Sequence, residues 1–224
     1  MQQTVDWASY WVRKNPGFHE GEVNVYLQRY LSLFCLQPGD TIFMPLCGKA
    51  VDILWLSQQG FHVVGVELSA SAIESFFEES GLQYEKKHSA HFAIYRSPNI
   101  TLYQGNFMNL TAQQLEPCQL VYDRASIVAI ESFNRSTYVD QMLEIVPGSV
   151  PMLLITLEYD QSVMQGPPFS VPVSEITSLY CSRYVVELLQ SCDQIEQRPR
   201  WRDSGLKSFH ETALRLINLE SVVG

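Results

Sequence analysis

The chain alternates between short, nearly continuous apolar runs and longer amphipathic stretches. Thr41-Ile42-Phe43-Met44 and His62-Val63-Val64-Gly65-Val66-Glu67 read as two buried strands, and a helical pattern follows Gly48 between them. Ser69 then offers an N-cap, Ser71 to Glu78 repeats at helical spacing, and Gly81 stops it. Phe92 to Tyr95 and Ile100 to Tyr103 flank the turn Ser97-Pro98-Asn99, predicting a hairpin arm that leads into a third sheet strand, and Gln119 to Tyr122 predicts a fourth. A helix is expected from Tyr138 to Val146, ended by Pro147-Gly148, followed by a strand from Val150 to Leu157. Val173 to Tyr180 reads as a helix, Tyr184 to Leu189 as a strand and Glu211 to Leu219 as a terminal strand. Strands alternating with helices predict an α/β fold, a doubly wound sheet with helices on both faces.

Composition narrows the function. With 224 residues, 46% of them hydrophobic, the chain can bury one sizeable core, so residues 1–224 are expected to form a single domain, without repeat or linker. A formal net charge of −9 and no cluster of Lys and Arg argue against nucleic acid as a partner, which leaves a small molecule. No apolar run reaches the roughly 18 residues needed to cross a bilayer, and the start lacks a basic stretch followed by an apolar one, so no membrane partner is expected. Cys35, Cys47, Cys118, Cys181 and Cys192 are odd in number and scattered, which points to neither disulfides nor a metal site, and fits a cytoplasmic location.

The first strand, helix and strand carry the most chemistry. An apolar run ends at Gly48, and an acid, Glu67, closes the next run about twenty residues later, which is the layout of an adenosine-binding βαβ unit. A dinucleotide normally needs G-x-G-x-x-G to bring the backbone against its pyrophosphate, and this turn has only Gly48. An adenosine cofactor without phosphate needs less, and S-adenosyl-L-methionine is the common one. Glu67 would then accept from the ribose hydroxyls, with Leu46 and Gly48 supplying backbone groups beside the methionine part. The competing reading is that Glu67 merely caps the helix starting near Ser69. Asp123 and Arg124 end the fourth strand, at the sheet edge where open α/β folds bind ligands; an ordinary surface Asp-Arg pair is the alternative.

Taken together, Pro45-Leu46-Cys47-Gly48-Lys49-Ala50, Val63-Val64-Gly65-Val66-Glu67, Tyr122-Asp123-Arg124 and Gly166-Pro167-Pro168-Phe169 closely resemble the thiopurine S-methyltransferase family, class I methyltransferases that use S-adenosyl-L-methionine. The match runs from Trp7 to near the C-terminus. It implies a Rossmann-like, mostly parallel seven-stranded sheet with an antiparallel terminal strand in residues 36–224, and an N-terminal helical lid in residues 1–35. Trp7 and Trp11, i,i+4 neighbours, would close over the cofactor, where a sulfonium beside an aromatic face gains about 0.5–2 kcal/mol. An ordinary amphipathic helix is the alternative. Phe18, beside His19, would form part of the acceptor pocket; Asn106 and Phe107 would bind adenine; Pro168 and Phe169 would stiffen a lid beside the pocket. Arg124 would touch cofactor and acceptor, with Asp123 beside it orienting the acceptor or taking a proton. Of Arg198, Arg200 and Arg202, Arg198 is the choice for steering an anionic acceptor.

Methyl transfer from a sulfonium is an in-line displacement that needs alignment and exclusion of water, and no metal. The expected acceptor is an aromatic or heterocyclic thiol such as a thiopurine, and the expected protein a monomer. Cys47 lacks a neighbouring base and reads as packing rather than as a nucleophile. Two alternatives remain at this stage: a methyltransferase of the same fold for selenium, tellurium, halide or small amine acceptors, and a non-catalytic S-adenosyl-L-methionine-binding protein.

Overall fold

Strands covered on both faces need apolar side chains at every position, and the centre of the sheet is built this way. The computed structural model describes residues 21–115, 117–148 and 150–221. Its strands are β1 (Thr41–Met44), β2 (His62–Glu67), β3 (Glu85–His88), β4 (Ala93–Ser97), β5 (Ile100–Gln104), β6 (Leu120–Arg124), β7 (Met152–Glu158), β8 (Tyr184–Asp193) and β9 (His210–Asn218). The helices are α1 (Val25–Tyr30), α2 (Val51–Gln58), α3 (Ala70–Ser80), α4 (Ala112–Leu115), α5 (Arg135–Ile145), α6 (Val173–Tyr180) and α7 (Pro199–Asp203). All nine strands form one sheet in the order β3-β4-β5-β2-β1-β6-β7-β9-β8. The inner block, β5-β2-β1-β6-β7, is parallel, and both outer pairs run antiparallel.

Alternate residues along each strand enter opposite cores. Ile42, Tyr122, Leu153 and Ile155 face one side with Ile53, Leu56, Ile73 and Phe76 of α2 and α3. Phe43, Val121, Leu154 and Leu214 face the other with Tyr138 and Met142 of α5 and Ile176 and Tyr180 of α6. The capping signals act as expected: the Ser69 hydroxyl accepts from the amide of Ala72, and Gly81 ends α3 with φ +69°. No helix among the described residues is long and apolar enough to cross a membrane.

Two expectations are corrected. Among the described residues the sheet has nine strands rather than seven, because the β3–β4 hairpin extends it beyond β5. β3, Glu-Lys-Lys-His, is exposed at every position and is held by backbone pairing to β4 and by Lys86, which pairs with Glu74 at 3.3 Å and lies 4.5 Å from the Tyr95 ring, so it carries no hydrophobic alternation; its charges suit an edge strand that must not recruit another. Residues 25–34, placed in the lid on sequence grounds, form α1 and a 3₁₀ turn that belong to the core: Tyr26 and Leu27 are buried among Ile42 and Ile53. Asn24 caps α1, and its own amide donates to buried Asp52 at 2.8 Å.

Candidate active site

Parallel strands deliver all their outgoing turns to one edge, and the turns after β1, β2, β5 and β6 line a single cavity of about 530 Å³. The turn after β1 runs through Leu46 (φ +44°) and Gly48 (φ +53°), both left-handed. Cys47 pins this turn to β2: its amide donates to Val66 O at 3.0 Å, and its sulfur lies over Gly65, where any Cβ would stand 2.7 Å away. Burial, then the charge of Glu67, holds the Cys47 thiol well above its usual range, so it is no nucleophile at neutral pH.

Glu67 ends β2 with its carboxylate directed into the turn. Oε2 accepts from the Gly48 amide at 3.0 Å and Oε1 from the Ser69 amide at 2.7 Å. Burial raises its pKa, and these amides pull the other way. A carboxylate offers about four acceptor positions, so Glu67, which lines the cavity, keeps capacity for a pair of ligand hydroxyls. At the end of β5, the Gly105 amide bonds Glu67 O at 2.9 Å, and the Asn106 side chain accepts from Met108 at 3.0 Å to start a 3₁₀ turn. Asn106 and Phe107 therefore line the cavity, with the Phe107 ring 5.0 Å from that of Tyr138.

The structure separates Asp123 from Arg124. Arg124 lines the cavity, whereas Asp123 is 0% exposed and points to the opposite face of the sheet, as strand alternation requires of neighbours. Asp123 Oδ2 accepts from Tyr138 Oη at 2.7 Å and Oδ1 from the Ile127 amide at 3.2 Å. Burial pushes its pKa up to about 6. The expectation that Asp123 stands beside the acceptor as an orienting group or base is thus corrected: its carboxylate is enclosed in the core behind the cavity wall.

The other end of the cavity is made of long side chains. Arg198 lines it, with its guanidinium 5.3 Å from the Trp201 ring; Trp201 in turn packs 4.2 Å from Phe209. Arg200 is exposed, and Arg202 pairs with Glu196 at 3.0 Å, so of the three basic residues Arg198 is the one at the cavity. Pro168 lines the cavity, while Phe169 lies beside it, its ring folded over Gly166 and its amide bonded to Val128 O at 2.6 Å. Trp7, Trp11, Phe18 and His19 lie outside the described residues. Sequence reasoning missed Tyr138, Trp201, Phe209 and Glu211. The acid of the apolar run Glu211-Thr-Ala-Leu was a usable signal, since β9 runs antiparallel to β7 and so begins at the edge where β7 ends.

A family model described as thiopurine S-methyltransferase matches residues 2–218. A thiopurine S-methyltransferase of Pseudomonas putida is 39% identical over 210 residues, covering 94% of this chain and 97% of the relative. One from Nitrosospira multiformis is 38% identical over 213 residues, covering 94% and 96%. Among solved structures, an S-adenosylmethionine-dependent methyltransferase of Anabaena variabilis superposes with a TM-score of 0.61 at 14% identity, covering 95% of this chain and 93% of that one, a likeness of fold. Fold and sequence agree, and the chain belongs to the thiopurine S-methyltransferase family of S-adenosyl-L-methionine-dependent enzymes.

Proposed function

We propose that the cavity binds S-adenosyl-L-methionine at its Glu67 end and, at its Arg124 and Arg198 end, an aromatic or heterocyclic thiol such as a thiopurine. The observation that carries this reading is one cavity lined both by a carboxylate held by backbone amides and by two arginines, Arg124 and Arg198, the latter against Trp201. Glu67 fits a ribose, because an anionic acceptor with two amides already satisfied presents its remaining lone pairs to hydroxyls. Leu46 and Gly48 supply the turn beside it, while Asn106 and Phe107 offer a polar group and a ring to adenine. When bound, the cofactor supplies an electrophilic methyl group on a sulfonium.

Arg124 and Arg198 favour the anionic form of the acceptor, and Trp201, Phe209 and Pro168 present flat apolar surface to a ring. Aromatic thiols ionise readily, so an acceptor held as thiolate needs no base, in keeping with the enclosure of Asp123. Small selenium or tellurium nucleophiles belong to the same soft class. The reading extends to a single domain over residues 1–224, a monomer, with Trp7, Trp11 and Phe18 covering the site as the family resemblance implies. A cytoplasmic location accords with five free cysteines. The test is transfer of labelled methyl from S-adenosyl-L-methionine to 6-mercaptopurine. Robust transfer, reduced at least about tenfold in Arg124→Ala, is expected. Cofactor binding without transfer to any thiol would refute the acceptor assignment and direct the search to selenium and tellurium species.

A further inference from the structure

Two residues that are not glycine occupy the left-handed region at the cavity wall: Leu46 at φ +44° and Ala125 at φ +64°. Side chains with a Cβ avoid this region, and such residues persist where their surroundings over-determine the backbone. Leu46 belongs to the turn after β1 and Ala125 to the turn after β6, two adjacent parallel strands. One buried hydroxyl joins the turns. Ser126, 0% exposed, donates from Oγ to the carbonyl of Pro45 at 2.6 Å, so the residue following Ala125 is bonded to the residue preceding Leu46. On its other side Ala125 is bracketed by Asp123, whose carboxylate ties the Ile127 amide and the Tyr138 hydroxyl to the same turn.

The chain could have relieved both positions with glycine, which enters this region freely but leaves its neighbours loosely directed. An alanine clamped between two buried side-chain bonds instead gives Arg124, the preceding residue, a single exit direction from the sheet. The same clamp sets the height of the Leu46 turn against Gly48 and Glu67. We infer that Ser126 and Ala125 are positioning residues, a clasp through which the cofactor turn and the Arg124 turn are held in one mutual arrangement. This rests on the reading of the cavity as a methyl-transfer site. A wall that served stability alone would not place strain at the two residues that face the ligand.

The test compares Ala125→Gly, Ser126→Ala and the double variant with the wild-type protein. It reads melting temperature, calorimetric affinity for S-adenosylhomocysteine, and turnover of 6-mercaptopurine. Ala125→Gly is expected to melt within about 3 °C of wild type, since relieved strain offsets added chain entropy, yet to lose about tenfold in kcat as Arg124 loses its fixed direction. Ser126→Ala, which frees both turns, is expected to lose about tenfold in cofactor affinity as well as in kcat. If the two residues act as one device, the double variant falls no further in kcat than the poorer single variant. Wild-type kcat in Ala125→Gly, or additive kcat losses in the double variant, would overturn the clasp. If the wild-type protein methylates no thiol, the acceptor assignment fails by itself, and the clasp is then decided by cofactor affinity: unchanged affinity in Ser126→Ala overturns it, and weakened affinity upholds it.

Discussion

The two ends of the cavity are built from different materials. At the Glu67 end, the wall is made largely of main chain: amides of Gly48 and Ser69 on the carboxylate, a left-handed turn at Leu46, and Gly105 bonded to Glu67 O. At the Arg198 end it is made of long side chains from separate elements, Arg124 from β6, Pro168 from the segment after β7, Trp201 from α7, Phe209 just before β9 and Glu211 within it. A backbone cradle is set by strand register and tolerates little change, whereas a side-chain wall is redrawn by single substitutions. One end is therefore suited to an invariant ligand and the other to a variable one.

Asp123 tests the partition itself, because it supports the wall common to both ends. Its folded pKa of about 6 exceeds the usual value of 3.8, so its contribution to stability is fully present below pH 3.8 and is lost as the pH rises through 6. Asp123→Asn, which is never charged, should gain on the wild-type protein by up to about 3 kcal/mol between pH 3.5 and pH 7 in urea unfolding. A gap that stays constant with pH would mean that Asp123 is not a buried ionised group.

Glu67→Ala attacks the main-chain end. It removes a charged acceptor and leaves the Gly48 and Ser69 amides unpaired, so cofactor affinity should fall by about 2–3 kcal/mol, roughly a hundredfold, in calorimetry. Unchanged affinity would return Glu67 to the role of a helix cap.

The division also explains what could be read in advance. β1, β2 and the turn between them were legible because a buried parallel strand needs an unbroken apolar run and because the chemistry there is local to some twenty-five residues. Ser69 and Gly81 were legible for the same reason, each acting on its own helix. Phe209 and Trp201, which packs on it, reach the site through the pairing of β9 with β7, a contact between segments some fifty residues apart that no local pattern encodes, and of this wall only the acid at Glu211 left a mark in the sequence. Asp123 and Arg124 end the same strand and look alike in the sequence; what separates them is that the Asp123 carboxylate is taken up by the Tyr138 hydroxyl and the Ile127 amide, contacts that form only once the turn after β6 has folded. The β3 edge was hidden because nothing about it is apolar.

Trp201→Ala sharpens the contrast from the other side. The Trp201 ring packs against both Arg198 and Phe209, and its loss should raise the KM for an aromatic thiol about tenfold while leaving cofactor affinity unchanged. A matching loss of cofactor affinity would show that the two ends are not separable.

Glu211→Gln should give the smallest effect and the most specific one. Glu211 is 9% exposed and lines the cavity on the same sheet face as Arg124, with Ile155 and Leu157 of β7 between them. A carboxylate there opposes an anionic acceptor, and across several ångströms of partly wet protein the repulsion is worth under about 1 kcal/mol. Replacing it with the neutral, isosteric amide should lower the KM for a nitro-substituted thiophenolate about threefold and leave that for an uncharged thiol unaltered. The gain should shrink at high salt, as expected of a charge effect and not of altered packing. Equal changes for charged and uncharged acceptors would place Glu211 in the support of the wall, and would make the acceptor end, like the cofactor end, a matter of fixed shape.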